Sequence, residues 1–114
     1  MKVEVKELNG IKVVKLIGQV RISTQNEFKD LLDNLVKESE GQVVIVNMEG
    51  IIYMNSIGLG IIIDTYKKFK EMKGRMVLCS LLPEIMNLFE VTRLNRFIEI
   101  YGNESEALKK VTSA

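Results

Sequence analysis

A continuous run of four β-branched residues near the middle of the chain most constrains its fold. Val43, Val44, Ile45 and Val46 follow one another with no polar residue between them. Alternation of apolar and polar residues would indicate a strand with one solvent-exposed face. A continuous apolar run is typical of a central strand that is covered over much of its surface. The run therefore predicts a sheet with a buried centre.

The segments on either side of this run predict an α/β fold. Two alternating segments joined through Asn9-Gly10 are typical of a β-hairpin. A capping box from Thr24 to Glu27 predicts the start of the first helix, and Gly74 at a C′ position predicts the end of a second helix over residues 57–73. Further elements are predicted as strands over 76–79 and 97–100, a short helix from Pro83 and a terminal helix over 105–111.

These elements fit one compact domain over residues 1–114, since a 13.0 kDa chain is too small for two. Their order is β-β-α-β-α-β-α-β-α. This order predicts a mixed sheet of four to five strands with about four helices.

The composition excludes several classes of function. The chain has no histidine, the commonest general base and a usual metal ligand. Its 16 basic and 15 acidic residues leave a net charge of +1, without the basic excess of a nucleic-acid binder. No stretch reaches the ~18 apolar residues of a membrane span, and the single cysteine, Cys79, fits a reducing compartment. We therefore expect a cytoplasmic protein that is not an enzyme and binds no cofactor, metal or nucleic acid.

A small hydroxyl residue, Ser56, lies at the junction between the buried strand and the second helix. One interpretation is that Ser56 is the helix N-cap, with Asn55 as a competitor. The other is a modification site, because the positive end of a helix tolerates a phosphoryl group that carries a charge of about −1.5 to −2. Beside it, Ile57 and Ile61 fall outside the predicted core face, which indicates either a protein-docking surface or a surface covered by the chain's own tail.

An ordered set of motifs extends over most of the chain. Residues 55–60 read Asn-Ser-Ile-Gly-Leu-Gly directly after a hydrophobic strand. The set continues with Tyr-Lys at 66–67, Gly-Arg-Met-Val-Leu at 74–78 and Glu-Val-Thr-Arg-Leu-Asn-Arg-Phe at 90–97. Together with the front hairpin and Gly18, this set resembles the anti-sigma factor antagonist family, whose fold is the STAS domain.

The resemblance implies a regulatory binding module. In that family, an anti-sigma factor that is itself a serine kinase phosphorylates the serine before the x-Gly-Leu-Gly stretch. The unphosphorylated antagonist binds the anti-sigma factor and frees the sigma factor, the phosphorylated form does not bind, and a serine phosphatase resets the cycle. On this sequence the phosphorylated residue would be Ser56. The residues expected at the partner-binding surface are Arg21, Asn55, Ser56, Ile57, Gly58, Leu59 and Ile61.

The sequence departs from the family pattern at three places. The usual Asp before the serine is Asn55, the usual small residue after it is Ile57, and a frequent Gly-Glu-Leu-Asp is Gly-Gln-Val-Arg at residues 18–21. Two other functions therefore stay open. The chain could be an interaction or scaffold subunit of the same fold that is never phosphorylated. It could also be a nucleotide or small-ligand sensor that uses the same helix N-terminus as an anion site.

Overall fold

The computed structural model describes residues 1–113 and confirms the predicted α/β architecture and element order. The strands are β1 (Lys2–Leu8), β2 (Ile11–Val20), β3 (Val43–Met54), β4 (Arg75–Cys79) and β5 (Ile100–Tyr101). The α-helices are α1 (Gln25–Glu38), α2 (Ser56–Glu71), α3 (Pro83–Val91) and α4 (Glu104–Thr112). A 3₁₀ turn (Leu94–Arg96) precedes β5.

The strands form one mixed sheet in the order β1-β2-β3-β4-β5. β1 and β2 are antiparallel, and their tight turn has Asn9 and Gly10 at φ 52° and 80°. Two consecutive positive φ angles are what a two-residue hairpin turn of the favoured twist requires, so the hairpin prediction is confirmed. The other neighbouring strands are parallel. Each parallel pair is connected by a crossover that contains α1, α2 or α3.

The core lies on both faces of β3. Val44 and Val46 belong to the large cluster that also contains the aromatic rings of α1, α2 and α3, whereas Ile45 belongs to a second cluster with Ala107 of α4. Successive residues of a strand point to opposite faces, so the two clusters lie on opposite sides of the sheet. Because both faces of β3 are buried over residues 44–46, apolar side chains are favoured at consecutive positions there, which explains the continuous apolar run.

The predicted capping box at the start of α1 is wrong, although the helix begins where expected. Thr24 is the N-cap residue, but its hydroxyl makes no cap hydrogen bond. It accepts from the backbone N–H of Arg21 at 2.9 Å and donates to the carbonyl of Gln19 at 2.5 Å. Glu27 accepts instead from the amino group of Met1. The threonine side chain finds its partners in the preceding turn, a common alternative to capping for this residue type.

Two other local predictions need correction. The left-handed residue after α2 is Lys73, at φ 61°, and not Gly74. Gly74 is required by space, since a Cβ atom there would lie 2.7 Å from the carbonyl oxygen of Gln42. The last strand begins at Ile100, because the 3₁₀ turn comes first and leaves Phe97 70% exposed.

An ion pair joins β4 to the segment before β5. Arg75 donates to the two carboxylate oxygens of Glu99 at 2.8 and 2.5 Å, and the Tyr101 hydroxyl donates to the same carboxylate at 2.8 Å. The hydrogen bond from Arg75 is the main reason that the pKa of Glu99 lies below its ordinary value of 4.5. A carboxyl group with a lowered folded-state pKa stabilises the folded protein above its unfolded value, and that contribution is lost as the pH falls through the folded value.

We predict that Glu99→Gln lowers the free energy of unfolding at pH 7 and weakens its decline below pH 4.5. Urea unfolding at pH 7 and at about pH 3 would measure both effects. Glu40→Gln is the control, because Glu40 is exposed and forms no ion pair with any residue from 1 to 113. An equal change in acid dependence for both variants would contradict the role given to Glu99.

Candidate functional site

The candidate site lies where β2 and β3 end side by side. Val20 pairs with Met54, and the N–H of Asn55 donates to the carbonyl of Val20 at 3.0 Å. The residues that follow each strand are therefore neighbours. Arg21 stacks on the ring of Tyr53 with 4.2 Å between its guanidinium carbon and the ring centroid, which is within the range of a cation–π interaction. Residues that are far apart in the chain thus form one surface.

Asn55 is the N-cap of α2, so the interpretation of Ser56 as the cap is wrong. The Asn55 side-chain oxygen accepts from the N–H of Gly58 at 2.9 Å. Its amide group donates to the side-chain oxygen of Gln25, at the start of α1, at 3.1 Å. An aspartate could accept at the cap but has no N–H to donate when ionised. Asn55 therefore joins the starts of the two helices.

Ser56 is the first residue of α2, and its side chain is exposed. Its hydroxyl forms no hydrogen bond with the part of the chain that the structure describes, because the cap position is already filled by Asn55. The first turn of α2 contains no acidic residue. The hydroxyl is thus accessible at a helix N-terminus, where the backbone dipole favours negative charge.

Exposed apolar side chains surround this position. Ile22 is 86% exposed, Ile57 51% and Tyr53 43%. A shallow groove of about 470 Å³ runs beside them and is lined by Arg21, Ile22, Ser23, Tyr53 and Asn55. We call the set Arg21, Ile22, Tyr53, Ser56 and Ile57 the Ser56 surface. Several exposed apolar side chains at one end of the sheet are typical of a site for another protein.

Ile22 and Tyr53 were not among the residues expected at this surface. The sequence indicates these two residues only by their proximity to expected surface residues, since Ile22 follows Arg21 and Tyr53 lies two residues before Asn55. Their exposure depends on the paired ends of β2 and β3, which sequence periodicity does not show.

Three of the expected partner-binding residues are buried in whole or in part. Gly58 is buried, Leu59 is only 7% exposed, and Ile61 is half-buried against the core. Gly58 and Leu59 support the surface from below, whereas Ile61 keeps part of its side chain accessible. Ile57 stays exposed, so the chain's tail does not cover it up to residue 113. The accessible residues of the expected surface are therefore Arg21, Asn55, Ser56, Ile57 and, in part, Ile61, and the exposed Ile22 and Tyr53 lie beside them.

Within residues 1–113 the structure shows no candidate metal site and no exposed thiol. No group of three or more Cys, Asp or Glu residues there could hold a metal ion. Cys79 is buried in β4, and burial raises the pKa of its thiol. A buried neutral thiol is a core residue and not a nucleophile. Over the same residues, no helix has the length and apolar character needed to cross a membrane.

The fold is a single α/β module with an exposed surface at the start of α2. A family model described as the STAS domain matches residues 2–107, and the chain belongs to the STAS domain family. It is 24% identical over 111 residues to the anti-sigma F factor antagonist of Paenibacillus polymyxa. The aligned region covers 97% of this chain and 95% of that protein. Such relatives are regulatory proteins. The prediction that the chain belongs to this family is therefore confirmed, and so is the prediction that it is not an enzyme.

Solved structures share the fold. The crystal structure of an anti-sigma factor antagonist from Mycobacterium paratuberculosis has a TM-score of 0.85 at 20% identity, over 98% of this chain and 94% of that one. The anti-sigma factor antagonist SpoIIAA is similar in its unphosphorylated form, with a TM-score of 0.74 at 18% identity over 96% of both chains. Its phosphorylated form has a TM-score of 0.67 at 18% identity, over 96% of this chain and 99% of that one.

The cap assignment predicts different effects for two adjacent substitutions. Asn55→Ala removes the cap and the link to Gln25, and we expect it to lower the free energy of unfolding by about 1 kcal/mol. Ser56→Ala removes a hydroxyl without a hydrogen bond, and we expect a change within about 0.5 kcal/mol. Chemical denaturation of both variants measures the difference. A larger loss for Ser56→Ala than for Asn55→Ala would contradict the assignment.

Two glycines of α2 provide a second matched pair. A Cβ atom at Gly58 would lie 2.6 Å from the Met54 side chain and 2.9 Å from that of Val20, whereas nothing lies within 4 Å of one at Gly60. We expect Gly58→Ala to destabilise the protein by about 1–3 kcal/mol through overpacking. We expect Gly60→Ala to stabilise it by about 0.5–1 kcal/mol through helix propensity. Thermal unfolding of the two variants checks the opposite signs.

Proposed function

We propose that this chain is an anti-sigma factor antagonist that is switched by phosphorylation of Ser56. The observation that carries the proposal is the free, exposed hydroxyl at the first position of α2, left available because Asn55 caps the helix. In the unphosphorylated form, the Ser56 surface binds an anti-sigma factor, which then releases its sigma factor. The anti-sigma factor is itself the serine kinase, and a serine phosphatase restores the binding form. This role belongs to the cytoplasm, where transcription is regulated.

The local charges support phosphorylation without unfolding. A phosphoryl group on Ser56 would add a charge of about −1.5 to −2 at the positive end of α2. The first turn of α2 has no acidic residue that would repel it. The charged residue of the adjoining groove is Arg21, whose sign is favourable. The helix can therefore accept the modification, and the change is confined to the surface.

The same charge would prevent docking. The Ser56 surface offers Ile22, Tyr53 and Ile57 as exposed apolar contacts. A partner that covers these side chains must also cover the Ser56 hydroxyl or, in the modified protein, the phosphoryl group attached to its oxygen. Burying a dianion without matched cations is strongly unfavourable, so the partner would bind the unmodified hydroxyl and reject the phosphate.

Two features separate this surface from the usual family pattern and bear on the partner. Asn55 keeps the cap without adding a carboxylate, and Arg21 adds a positive charge where the family often has an acid. Complementary charge governs the choice of partner and the association rate, so the anti-sigma factor of this chain should present a neutral or acidic contact opposite Arg21. The similarity to anti-sigma factor antagonists, and to SpoIIAA in its phosphorylated form, supports the wider proposal.

We predict that Ser56→Ala binds the anti-sigma factor kinase from the same genome as tightly as the wild type, while Ser56→Asp binds at least about tenfold more weakly. Isothermal titration calorimetry with the purified partner measures both affinities. Thermal unfolding of each variant controls for misfolding. Equal affinity of Ser56→Asp and the wild type would exclude a charge switch at this residue.

Mass spectrometry of the protein from its native host separates this proposal from a scaffold role. Phosphate on Ser56 that rises and falls with growth conditions is the expected result. Ser56 that stays unmodified in every condition, with the partner still bound, would favour an interaction subunit that is never phosphorylated. Incubation with the partner kinase and ATP, with Ser56→Ala as the control, tests the modification directly.

A further inference from the structure

A second apolar groove lies beside the other half of α2. It has a volume of about 300 Å³ and runs between α2 and the 3₁₀ turn. Its floor includes the buried Ile98, and Ile63 and Tyr66 form the α2 side. Leu94 and Phe97 line it from the 3₁₀ turn and the residue that follows. The ring of Phe97 is 70% exposed, so one wall of this groove consists of an aromatic side chain that no other part of the described chain covers.

The rim of this groove is positively charged. Lys67 and Lys70 line it, and no carboxylate among residues 1–113 lies within 4.0 Å of either ammonium nitrogen. The Lys70 nitrogen lies 4.8 Å from the centroid of the Tyr66 ring. Glu99 lies close enough to Lys70 to interact with it electrostatically, but its carboxylate is already bound by Arg75 and Tyr101. Asp64 and Glu71 of the same helix form no ion pair with either lysine. The groove thus combines an apolar floor with cations that lack a direct acidic partner.

The position of the groove separates it from the Ser56 surface. Lys67 lies eleven residues beyond Ser56 on the same helix, which corresponds to about 16 Å at 1.5 Å per residue. The groove shares no lining residue with the one beside Arg21. It is therefore a groove distinct from the one beside Arg21.

We propose that this groove binds an acidic, apolar segment of a partner protein. An aliphatic or aromatic side chain of the segment would enter between Tyr66 and Phe97 and cover Ile98. Its aspartate or glutamate side chains, within a turn of that anchor, would face Lys67 and Lys70. Charge complementarity identifies this occupant, since a basic rim whose ammonium groups form no ion pair selects acidic partners and disfavours basic ones. A buried aromatic or aliphatic anchor supplies most of the affinity in such interfaces.

Selection from a random dodecapeptide phage library on the full chain tests the proposal. We expect enriched peptides with a large apolar residue within four positions of one or more acids. A synthetic peptide of the enriched sequence should shift the amide resonances of Ile63, Lys67, Leu94 and Phe97. Enrichment of uncharged or basic peptides, shifts confined to other residues, or no enrichment at all would overturn the proposal.

Charge reversal supplies the matched control. Lys67→Glu with Lys70→Glu should weaken binding of the synthetic peptide at least about tenfold. The exposed pair on α4, Lys109→Glu with Lys110→Glu, should leave it unchanged. Phe97→Ser removes an exposed side chain without opening the core, so it gives a second test if the double variant does not fold. Equal binding by all the variants would contradict the assignment.

Two more measurements separate the proposed groove from the phosphorylation switch and from a membrane-binding surface. Ser56→Asp should leave binding of the synthetic peptide unchanged. Loss of peptide binding and loss of the phosphorylation switch would therefore be observed as separate results. Vesicles that contain phosphatidylglycerol test an anionic membrane as the occupant. Binding to the vesicles through Lys67 and Lys70, with no binding of acidic peptides, would replace the proposed partner protein by a lipid surface.

Discussion

The burial of β3 on both faces is the constraint on which the rest of the molecule depends. Because Val44 and Val46 face one cluster and Ile45 faces the other, helices must cover both sides of the sheet. β3 is also longer than its neighbour β4. It pairs with β4 only over residues 43–47, whereas its pairing with β2 continues to Met54. The second half of β3 therefore extends beyond β4 with β2 alone beside it. This two-stranded extension carries Tyr53 and the start of α2 to the surface.

The start of α2 is held firmly on that extension. Gly58 allows the helix to approach Met54 and Val20 within distances that no side chain would permit, and Asn55 links the same turn to Gln25 of α1. Sites built on helices and strands are held more precisely than sites on loops. A charge added to Ser56 therefore acts on the partner's side of the interface. The domain that carries it need not change conformation.

The sequence predicts the architecture well and the details of the site less well, for physical reasons. The Val43–Val46 run and the Asn9-Gly10 turn reflect local burial and backbone geometry, so they could be interpreted without knowledge of the fold. The cap residue of α2 could not be identified from the sequence alone, because the side chains of Asn55 and Ser56 both suit that position. The contact that distinguishes them is with Gln25, thirty positions earlier in the chain. Exposure of Phe97 was likewise hidden, since the pattern of residues 97–100 suits a strand and only tertiary packing makes the preceding segment a 3₁₀ turn.

The two surfaces on α2 differ in what they can contribute to binding. A standard protein interface buries about 800 Å² on each partner, which corresponds to a patch with a radius of about 16 Å. A patch of that size centred on Ser56 ends near Lys67, at about the same distance along the helix axis. The basic groove therefore lies at the edge of such a footprint, where charges affect the association rate more than the affinity. Charges that only raise the association rate need no apolar groove beside them. The apolar floor and the exposed Phe97 would therefore allow this half of α2 to bind a second segment while the Ser56 surface is occupied.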